Sequence, residues 1–573
     1  MRAAAKQEID LGNPADLTPA ADAILGANPF VGVNSRDVLK SLGQFVSQIA
    51  AHPDRVGARL SDLVFDLMRV AIGTSDREPE PGDRRFADPA FADNPYFRGL
   101  MQGYLAWRAA MHDLVGLGTE VEPGGDWKVS AQERFAVTLL TEALAPTNLL
   151  AGNPAALKRA FETAGMSLVR GLRNLADDLI NNGGMPAQVD RRPFVVGSNI
   201  AVTPGAVVHR GRLCEILQYQ PATAQVYERP VMLVPPQINK FYIMDLAARR
   251  SFTEYAVAHG LQFFTLSWRN PGPADRELGL DDYVGACQEA VGIIAEITGS
   301  PDVNLVGVCA GGITSSLLLG HLAAIGDRRI NAATLIVTML DSSEPSMTGM
   351  FANEESVRTA VESSQKKGVL DAGTLQRTFA WMRPNDLVWH YWVDNYLMGQ
   401  SPAPFDLLFW NSDSTNLPAR LHAGFLEIML RNPLIERGAA SVIGTAVDLR
   451  NVTCDMFVLA GLTDHICPWR ACHRAARLFG GRTEFVMGGS GHVQSLVSPP
   501  GNFKSRYFVN PRLGDDAEGW FKSATEHKGT WWEHWIEWIE KRSGNKRAAP
   551  ATLGGERYAP IEPAPGRYVH QRP

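Results

Sequence analysis

Residues 303–320, VNLVGVCAGGITSSLLLG, decide the fold. An apolar, β-branched run ends at Val308, a turn of small residues follows, and a helix-forming stretch continues to Gly320. Gly307-Val308-Cys309-Ala310-Gly311 has the form of the strand–nucleophile–helix elbow, G-x-S-x-G, with cysteine in place of serine. Such a turn is tight, and neighbours without side chains let it close. It presents Cys309 at the end of a sheet, next to a helix N-terminus that favours a thiolate. The Ala310 amide then supplies half of an oxyanion hole. A cysteine among small residues is also commonly a small buried side chain, so this motif alone leaves both readings open.

Working outward, short apolar runs recur at crossover-length intervals after Pro186: RPVMLVPP, LQFFTLSW, VNLVGVC, ATLIVTML, DMFVLAG and TEFVMGG. Strands of this length separated by helical stretches predict a mostly parallel sheet covered by helices. DMFVLAG leads to Leu462-Thr463-Asp464-His465, and TEFVMGG leads to Ser490-Gly491-His492. Open α/β sheets gather their catalytic side chains at such strand exits. The order nucleophile, acid, histidine is that of the α/β-hydrolase triad, so the fold class expected is α/β-hydrolase. Asp341 also follows an apolar run and competes for the acid position. His465 sits beside Asp464 and reads as a neighbour that shapes the site, since His492 has the glycine-flanked exit. By analogy with the same fold, the second oxyanion amide belongs to the loop after VMLV, near Gln237 and Ile238.

The chain divides into a helical part, 1–190, and a catalytic part, 191–573. In the first, RDVLKSLGQFVSQIAAH and ERFAVTLLTEALAP carry apolar residues at helical spacing, and REPEPGDRR, EPGGDW and NNGGMP punctuate them. No nucleophile, base and acid gather there, so it reads as a scaffold or partner-binding domain. Within the second, 341–447 lacks clear buried strands but is rich in aromatics, and reads as a cap inserted over the active-site end of the sheet. WWEHWIEWIEK puts Trp531, Trp535 and Trp538 on one helical face, a core pattern, and the tail after Ser543 reads as extended.

At 573 residues, 45% hydrophobic and 20% charged, the chain exceeds one ordinary core. A net charge of −6 gives no reason to expect a nucleic-acid partner. Six cysteines without a CxxC pair argue against zinc and disulfide frameworks and for a reduced, cytoplasmic setting. Acids, prolines and glycines break the N-terminal stretch where a signal peptide needs an apolar core, and no run approaches a transmembrane span. No metal motif and no G-x-G-x-x-G after a strand is present, so no cofactor is expected.

Cysteine at the elbow bears on the reaction. An acyl-serine is an oxoester, whereas an acyl-cysteine keeps thioester activation. Exchange of an acyl group between a thioester substrate and Cys309 is therefore close to thermoneutral, and its transfer to a hydroxyl is downhill. That favours acyl transfer over hydrolysis.

Taken together, NIAVTPGAVVHR, VPPQINKFYIMDL, SWRNP, GVCAGG, MRPNDLVWHYWVDNYL, PFDLLFWNSDSTNLP, AGLTDHICPW and GSGHVQSLVSPPGN resemble segments of the polyhydroxyalkanoate synthases, in family order. DRRFADPAF, AWR, EALAPTN and NNGGMP extend the resemblance upstream, and APGRYVH extends it to the C-terminus. The resemblance implies a polymerase of (R)-3-hydroxyacyl-CoA in which Cys309 carries the acyl chain, His492 is the base and Asp464 the third member. Coenzyme A is then substrate and leaving group. It further implies a structural or dimer-related role for Trp410, which the residues alone read as cap core. It also implies a cytoplasmic homodimer at the surface of polyester granules, with phasins as companions. The N-terminal domain looks like that of the single-subunit types, and PQINKFY and NPFVGVNSRDVL look closer to the medium-chain type. An acyl-CoA thioesterase or esterase of the same fold, and a non-catalytic granule-coating protein, are the alternatives.

Overall fold

The computed structural model of the protein describes residues 35–116, 127–350, 352–375 and 384–573. The readings placed on the N-terminal stretch, on the start of NPFVGVNSRDVL and on most of EPGGDW lie outside the described residues.

Each of the six apolar runs named above is a strand, and together they are the parallel part of one sheet. With the hairpin β1 (Gly205–Arg210) and β2 (Cys214–Tyr219), these are β3 (Val231–Val234), β4 (Phe263–Trp268), β5 (Val303–Val308), β6 (Ile330–Ile336), β7 (Asp455–Gly461) and β8 (Thr483–Gly488). Three more strands, β9 (Arg506–Val509), β10 (Thr525–Lys528) and β11 (Glu562–Pro563), complete eleven in the order β10-β9-β8-β7-β6-β5-β3-β4-β2-β1-β11. Strands β4, β3, β5, β6, β7 and β8 pair in parallel, and the others add antiparallel at the two edges. Every residue of β3, β4 and β5 is buried. This is the near-continuous apolar strand expected where helices cover both faces.

Register aligns the carboxyl ends. Val308 pairs with Ile336, Val234 with Gly307, and Gly461 with Gly488. The loops leaving β3, β5, β7 and β8 therefore open on the same edge of the sheet, where a site can be assembled from distant parts of the chain.

The C-terminal helix Trp531–Glu540 supplies much of the core. Trp531, Trp532, Trp535 and Trp538 are all buried, so the tryptophan surface is wider than the single stripe expected. Trp535 Nε1 donates to Thr334 Oγ1 at 3.0 Å, and Trp531 Nε1 donates to the Ser495 carbonyl at 2.7 Å. The tail does more than extend. Lys546–Ala548 pairs with Gln225–Tyr227, and β11 closes the sheet edge against β1.

Within the expected cap, this unit contains helices Glu354–Lys367, Asp406–Asn411 and Ala419–Arg431, with short pairings Val369–Leu370 to Leu417–Pro418 and Ala440–Val442 to Thr445–Val447. The chain forms two compact units. One holds the described residues of 191–376 and 404–573, and the other those of 32–190 and 377–403. The second is helical: Ser35–Ala51, Pro53–Ala71, Pro95–Gly116, Trp127–Ala143, Pro154–Glu162 and Met166–Asn181. Its return segment is stitched in by Tyr396 Oη to Asp178 Oδ2 at 2.8 Å, Asn395 Nδ2 to the Ala187 carbonyl at 2.7 Å, and Trp392 Nε1 to the Asn148 carbonyl at 3.1 Å. Glycine permits this approach, because a Cβ on Gly171 would lie 1.8 Å from the Tyr396 carbonyl oxygen. No helix of the described residues is long and apolar enough to cross a membrane.

Removing the Trp535 side chain opens a large cavity under the sheet and strands the Thr334 hydroxyl. Trp535→Ala is expected to destabilise its unit by about 3–5 kcal/mol, read as a lower urea midpoint of the near-UV signal. An unchanged midpoint would show that the helix is peripheral to the core.

Candidate active site

Cys309 lies between the end of β5 and helix Ala310–Ala324, with φ +51° and ψ −120°. For a residue with a side chain this is a strained conformation, and it persists only where the surroundings enforce it. They do so through contact. A Cβ on Gly307 would lie 2.6 Å from Ser315 Oγ, one on Gly311 2.3 Å from the Val234 carbonyl oxygen, and one on Gly312 1.9 Å from Thr338 Oγ1. The glycines are thus required less by their own dihedrals than by the packing of strand, helix, β3 loop and the Thr338 side chain beyond β6 around Cys309. The Cys309 amide donates to the Ile336 carbonyl at 2.9 Å, which anchors the turn to β6.

Asp464 and His492 meet from the exits of β7 and β8. His492 Nδ1 lies 2.7 Å from Asp464 Oδ2. A carboxylate only accepts, so Nδ1 carries the proton and Nε2 is left for Cys309. The other carboxylate oxygen, Oδ1, accepts from the amides of Ile466 and Cys467, each at 2.9 Å. Asp464 is therefore held from two sides. The two side chains are 0% and 4% exposed, so little solvent screens the pair.

Burial alone would discharge the imidazolium. The charges of Asp464 and Cys309, with their hydrogen bonds, outweigh it and push the His492 pKa up to about 10. The Cys309 thiol is held well below its ordinary value. A hydrogen bond from Cys467 is the largest cause, opposed by burial and reinforced by the charge and hydrogen bond of His492 and the Ala310 amide. A thiolate–imidazolium pair is the state this arrangement favours at neutral pH.

Asp341 is engaged elsewhere. Its Oδ1 accepts from the Ser343 amide and from Asn432 Nδ2, each at 2.9 Å, and its Oδ2 from Arg474 Nε at 2.6 Å. Burial opposes its charge, but these bonds win and lower its pKa to about 2. It serves as the anchor of an ion pair, away from the imidazole. His465 is half-buried in the turn after Asp464.

Trp410 is buried, and its Nε1 donates to the Lys240 carbonyl at 2.8 Å. It is one of several ties between the insertion and the loop after β3. Thr415 Oγ1 donates to the Gln237 carbonyl at 2.6 Å, Tyr242 Oη donates to Asp413 Oδ2 at 2.7 Å, and the Thr415 amide donates to the Ile238 carbonyl at 3.4 Å. On the other side, Gln237 Nε2 donates to Thr314 Oγ1 at 2.9 Å, in the helix that follows Cys309. The loop carrying Gln237 and Ile238 is thus clamped between elbow helix and insertion.

Two features went unread in the sequence. Thr415 sits in a quoted segment without any residue-level signal. Cys467 lies three residues after Asp464 and faces Cys309, and its nearness to the acid in sequence was the available clue. Among the described residues, Asp464, Cys467 and His492 have potential metal-donor atoms within 4.8 Å of one another.

Comparison with known proteins places this chain in a family. Residues 82–256 match the family described as Poly-beta-hydroxybutyrate polymerase (PhaC) N-terminus, and residues 231–499 match the alpha/beta hydrolase fold. The chain is 45% identical over 553 residues to Poly(3-hydroxyalkanoate) polymerase 1 of Ectopseudomonas oleovorans, covering 96% of this chain and 98% of that one. It is 39% identical over 508 residues to the Poly(3-hydroxyalkanoate) polymerase subunit PhaC of Cupriavidus necator, covering 87% of this chain and 85% of that one. With an α/β-hydrolase sheet and this similarity over nearly its whole length, the chain belongs to the poly(3-hydroxyalkanoate) polymerases, which are acyltransferases.

Proposed function

We propose that the protein polymerises (R)-3-hydroxyacyl-CoA into polyester with release of coenzyme A, through acyl-Cys309 intermediates. The observation that carries this reading is the buried Asp464–His492 hydrogen bond of 2.7 Å beside a cysteine of depressed pKa at the elbow. The Cys309 thiolate attacks the carbonyl of the CoA thioester. The bond from carbonyl carbon to the CoA sulfur breaks, and the leaving thiolate takes the proton held by His492. A hydroxyl of a hydroxyacyl group then attacks acyl-Cys309 and gives its proton to His492. The carbon–sulfur bond breaks, an ester bond forms, and the thiolate–imidazolium pair is restored.

Asp464 holds the imidazole in the tautomer this requires and stabilises its charged form. The amides of Ala310 and Ile238 are the proposed oxyanion donors, the first at the start of a helix whose dipole adds to its effect. Clamping of the 237–238 loop by Thr314 and Thr415 supports that role, since a donor must be in place before charge develops. Thiolate, imidazole and carboxylate suffice for these steps, so coenzyme A enters only as substrate and leaving group and no further cofactor is proposed.

The helical unit supports a place at the surface of a polyester granule. On helix Met166–Asn181, Met166, Val169, Leu172, Leu179 and Ile180 are all exposed, and nearby Phe161 is 89% exposed. An apolar stripe at this spacing suits an apolar polymer surface. A cytoplasmic homodimer attended by phasins is part of the same proposal and rests on the family likeness.

Incubation with (R)-3-hydroxybutyryl-CoA and (R)-3-hydroxyoctanoyl-CoA should release thiol and deposit insoluble polyester from at least one of them. Cys309→Ala should abolish both. Thiol release with free hydroxy acid as the only product would make the protein a thioesterase, and polymer formation by Cys309→Ala would remove Cys309 from the mechanism.

The ion pair sets the pH behaviour. Cys309 is depressed and His492 raised to about 10, so the thiolate persists as pH falls below the ordinary thiol range, and the imidazolium is lost only as pH rises through about 10. Iodoacetamide should therefore alkylate Cys309 nearly as fast at pH 6 as at pH 9. Asp464→Asn, which weakens the imidazolium while leaving the Cys467 and Ala310 contributions in place, should bring back part of the roughly hundredfold drop of an ordinary thiol and lower turnover by about 10²–10⁴-fold. Equal pH profiles for the two proteins would refute this role for Asp464.

A further inference from the structure

Cys467 takes no part in the proposed cycle, yet it lies against the nucleophile. Its side chain is hydrogen-bonded to that of Cys309, and its sulfur is within 4.8 Å of a His492 ring nitrogen and an Asp464 oxygen. The backbone holds it there. The Cys467 amide donates to Asp464 Oδ1 at 2.9 Å, and its carbonyl accepts from Cys472 Sγ at 3.6 Å. Cys309 is half-buried, so part of the residue meets solvent, whereas Cys467 is buried. One reactive, accessible thiol backed by a fixed second thiol is the arrangement of a peroxide-sensitive cysteine with its resolving partner.

We propose that Cys309 and Cys467 form a reversible disulfide on exposure to hydrogen peroxide, a modification site that withdraws the nucleophile and returns it on reduction. The Cys309 thiolate attacks one peroxide oxygen. The O–O bond breaks, Cys309 becomes a sulfenic acid, and the departing hydroxide leaves as water with the proton of His492. The Cys467 sulfur then attacks the sulfenic sulfur. An S–S bond forms, the S–O bond breaks, and hydroxide leaves as water with the Cys467 proton, which His492, now neutral, relays. Each sulfur gives up one electron and the peroxide takes both. A dithiol reverses the change by exchange. The consequence for turnover rests on Cys309 being the acyl carrier; formation of the disulfide does not.

The disulfide supplies the protection that a lone thiolate lacks, since without a resolving thiol a sulfenic acid in excess peroxide proceeds to sulfinic and sulfonic acids that a dithiol cannot reverse. The test is to treat the full-length protein with hydrogen peroxide and measure intact mass, non-reduced peptide maps, and polymerase activity before and after dithiothreitol. The wild type is expected to lose about 2 Da, yield a peptide pair joined through Cys309 and Cys467, and recover most activity on reduction. Cys467→Ala is expected to gain about 32–48 Da at Cys309 and recover none. A wild-type map with Cys309 overoxidised, or joined to any other cysteine, overturns the proposal, whether or not Cys467→Ala folds. Absence of polymerase activity in the untreated protein would count against the function proposed above and would leave the mass result standing.

Discussion

The close contact of three backbones around Cys309 is the constraint on which the rest of the site depends. Strand β5, the helix that follows it and the loop leaving β3 approach so tightly that no Cβ fits on Gly307 or Gly311, and the Thr338 side chain just beyond β6 excludes one from Gly312. This packing holds Cys309 at φ +51°, a conformation that a free chain would leave at once. The same contact sets where the Ala310 amide points, where the helix dipole is felt, and how near the 237–238 loop comes. The sheet makes it possible. Because the carboxyl ends of β3, β5, β7 and β8 are in register, a strained turn on one strand comes to lie beside Asp464 and His492 from two others.

Charge follows from that placement. A buried aspartate beside a buried histidine is worth having only if both are satisfied, since an unpaired charge in such a place is strongly destabilising. Asp464 meets the condition with two backbone amides and one imidazole. Asp341 meets it with a serine, an asparagine and an arginine instead. The two aspartates look alike in sequence, each following an apolar run. Their partners separate them. Asp341, paired with Arg474, has no reason to stabilise an imidazolium, while Asp464, whose charged partner is the imidazole itself, is committed to doing so.

What could be read in the sequence divides along physical lines. The parallel strands were legible because they are buried on both faces and so carry unbroken apolar runs. The elbow was legible because its glycines answer to steric contact. Strand β10, Thr525–Lys528, was not, since all of its residues are exposed and polar and it exists only as an edge partner of β9. Nor was β11, two residues in a proline-rich tail. The grouping of 384–403 with the helical unit depends on hydrogen bonds such as Tyr396 to Asp178, between residues far apart in the chain with no periodic signal. At the site, Cys309, Asp464 and His492 carried local signatures at strand exits, whereas Cys467 and Thr415 act through side-chain positions that only the folded chain brings together.

The clamp on the 237–238 loop bears on why such a site would transfer rather than hydrolyse. The cysteine preserves the thioester's energy, but water competes with any hydroxyl for an acyl-enzyme. Selection against water must come from what covers the thioester and from where the attacking hydroxyl is held. Thr415, Asp413 and Trp410 tie the insertion to the loop that starts at the end of β3, and Gln237 ties that loop to the elbow helix. Any displacement of the insertion is thereby transmitted to the loop beside the nucleophile. Insertion and the loop after β3 are thus joined by several hydrogen bonds. On the proposed mechanism, such ties would keep the donors in place while the insertion stays seated. In the proposed acyl-Cys309 cycle, such a coupling would link the activation of the thioester to its shielding from water.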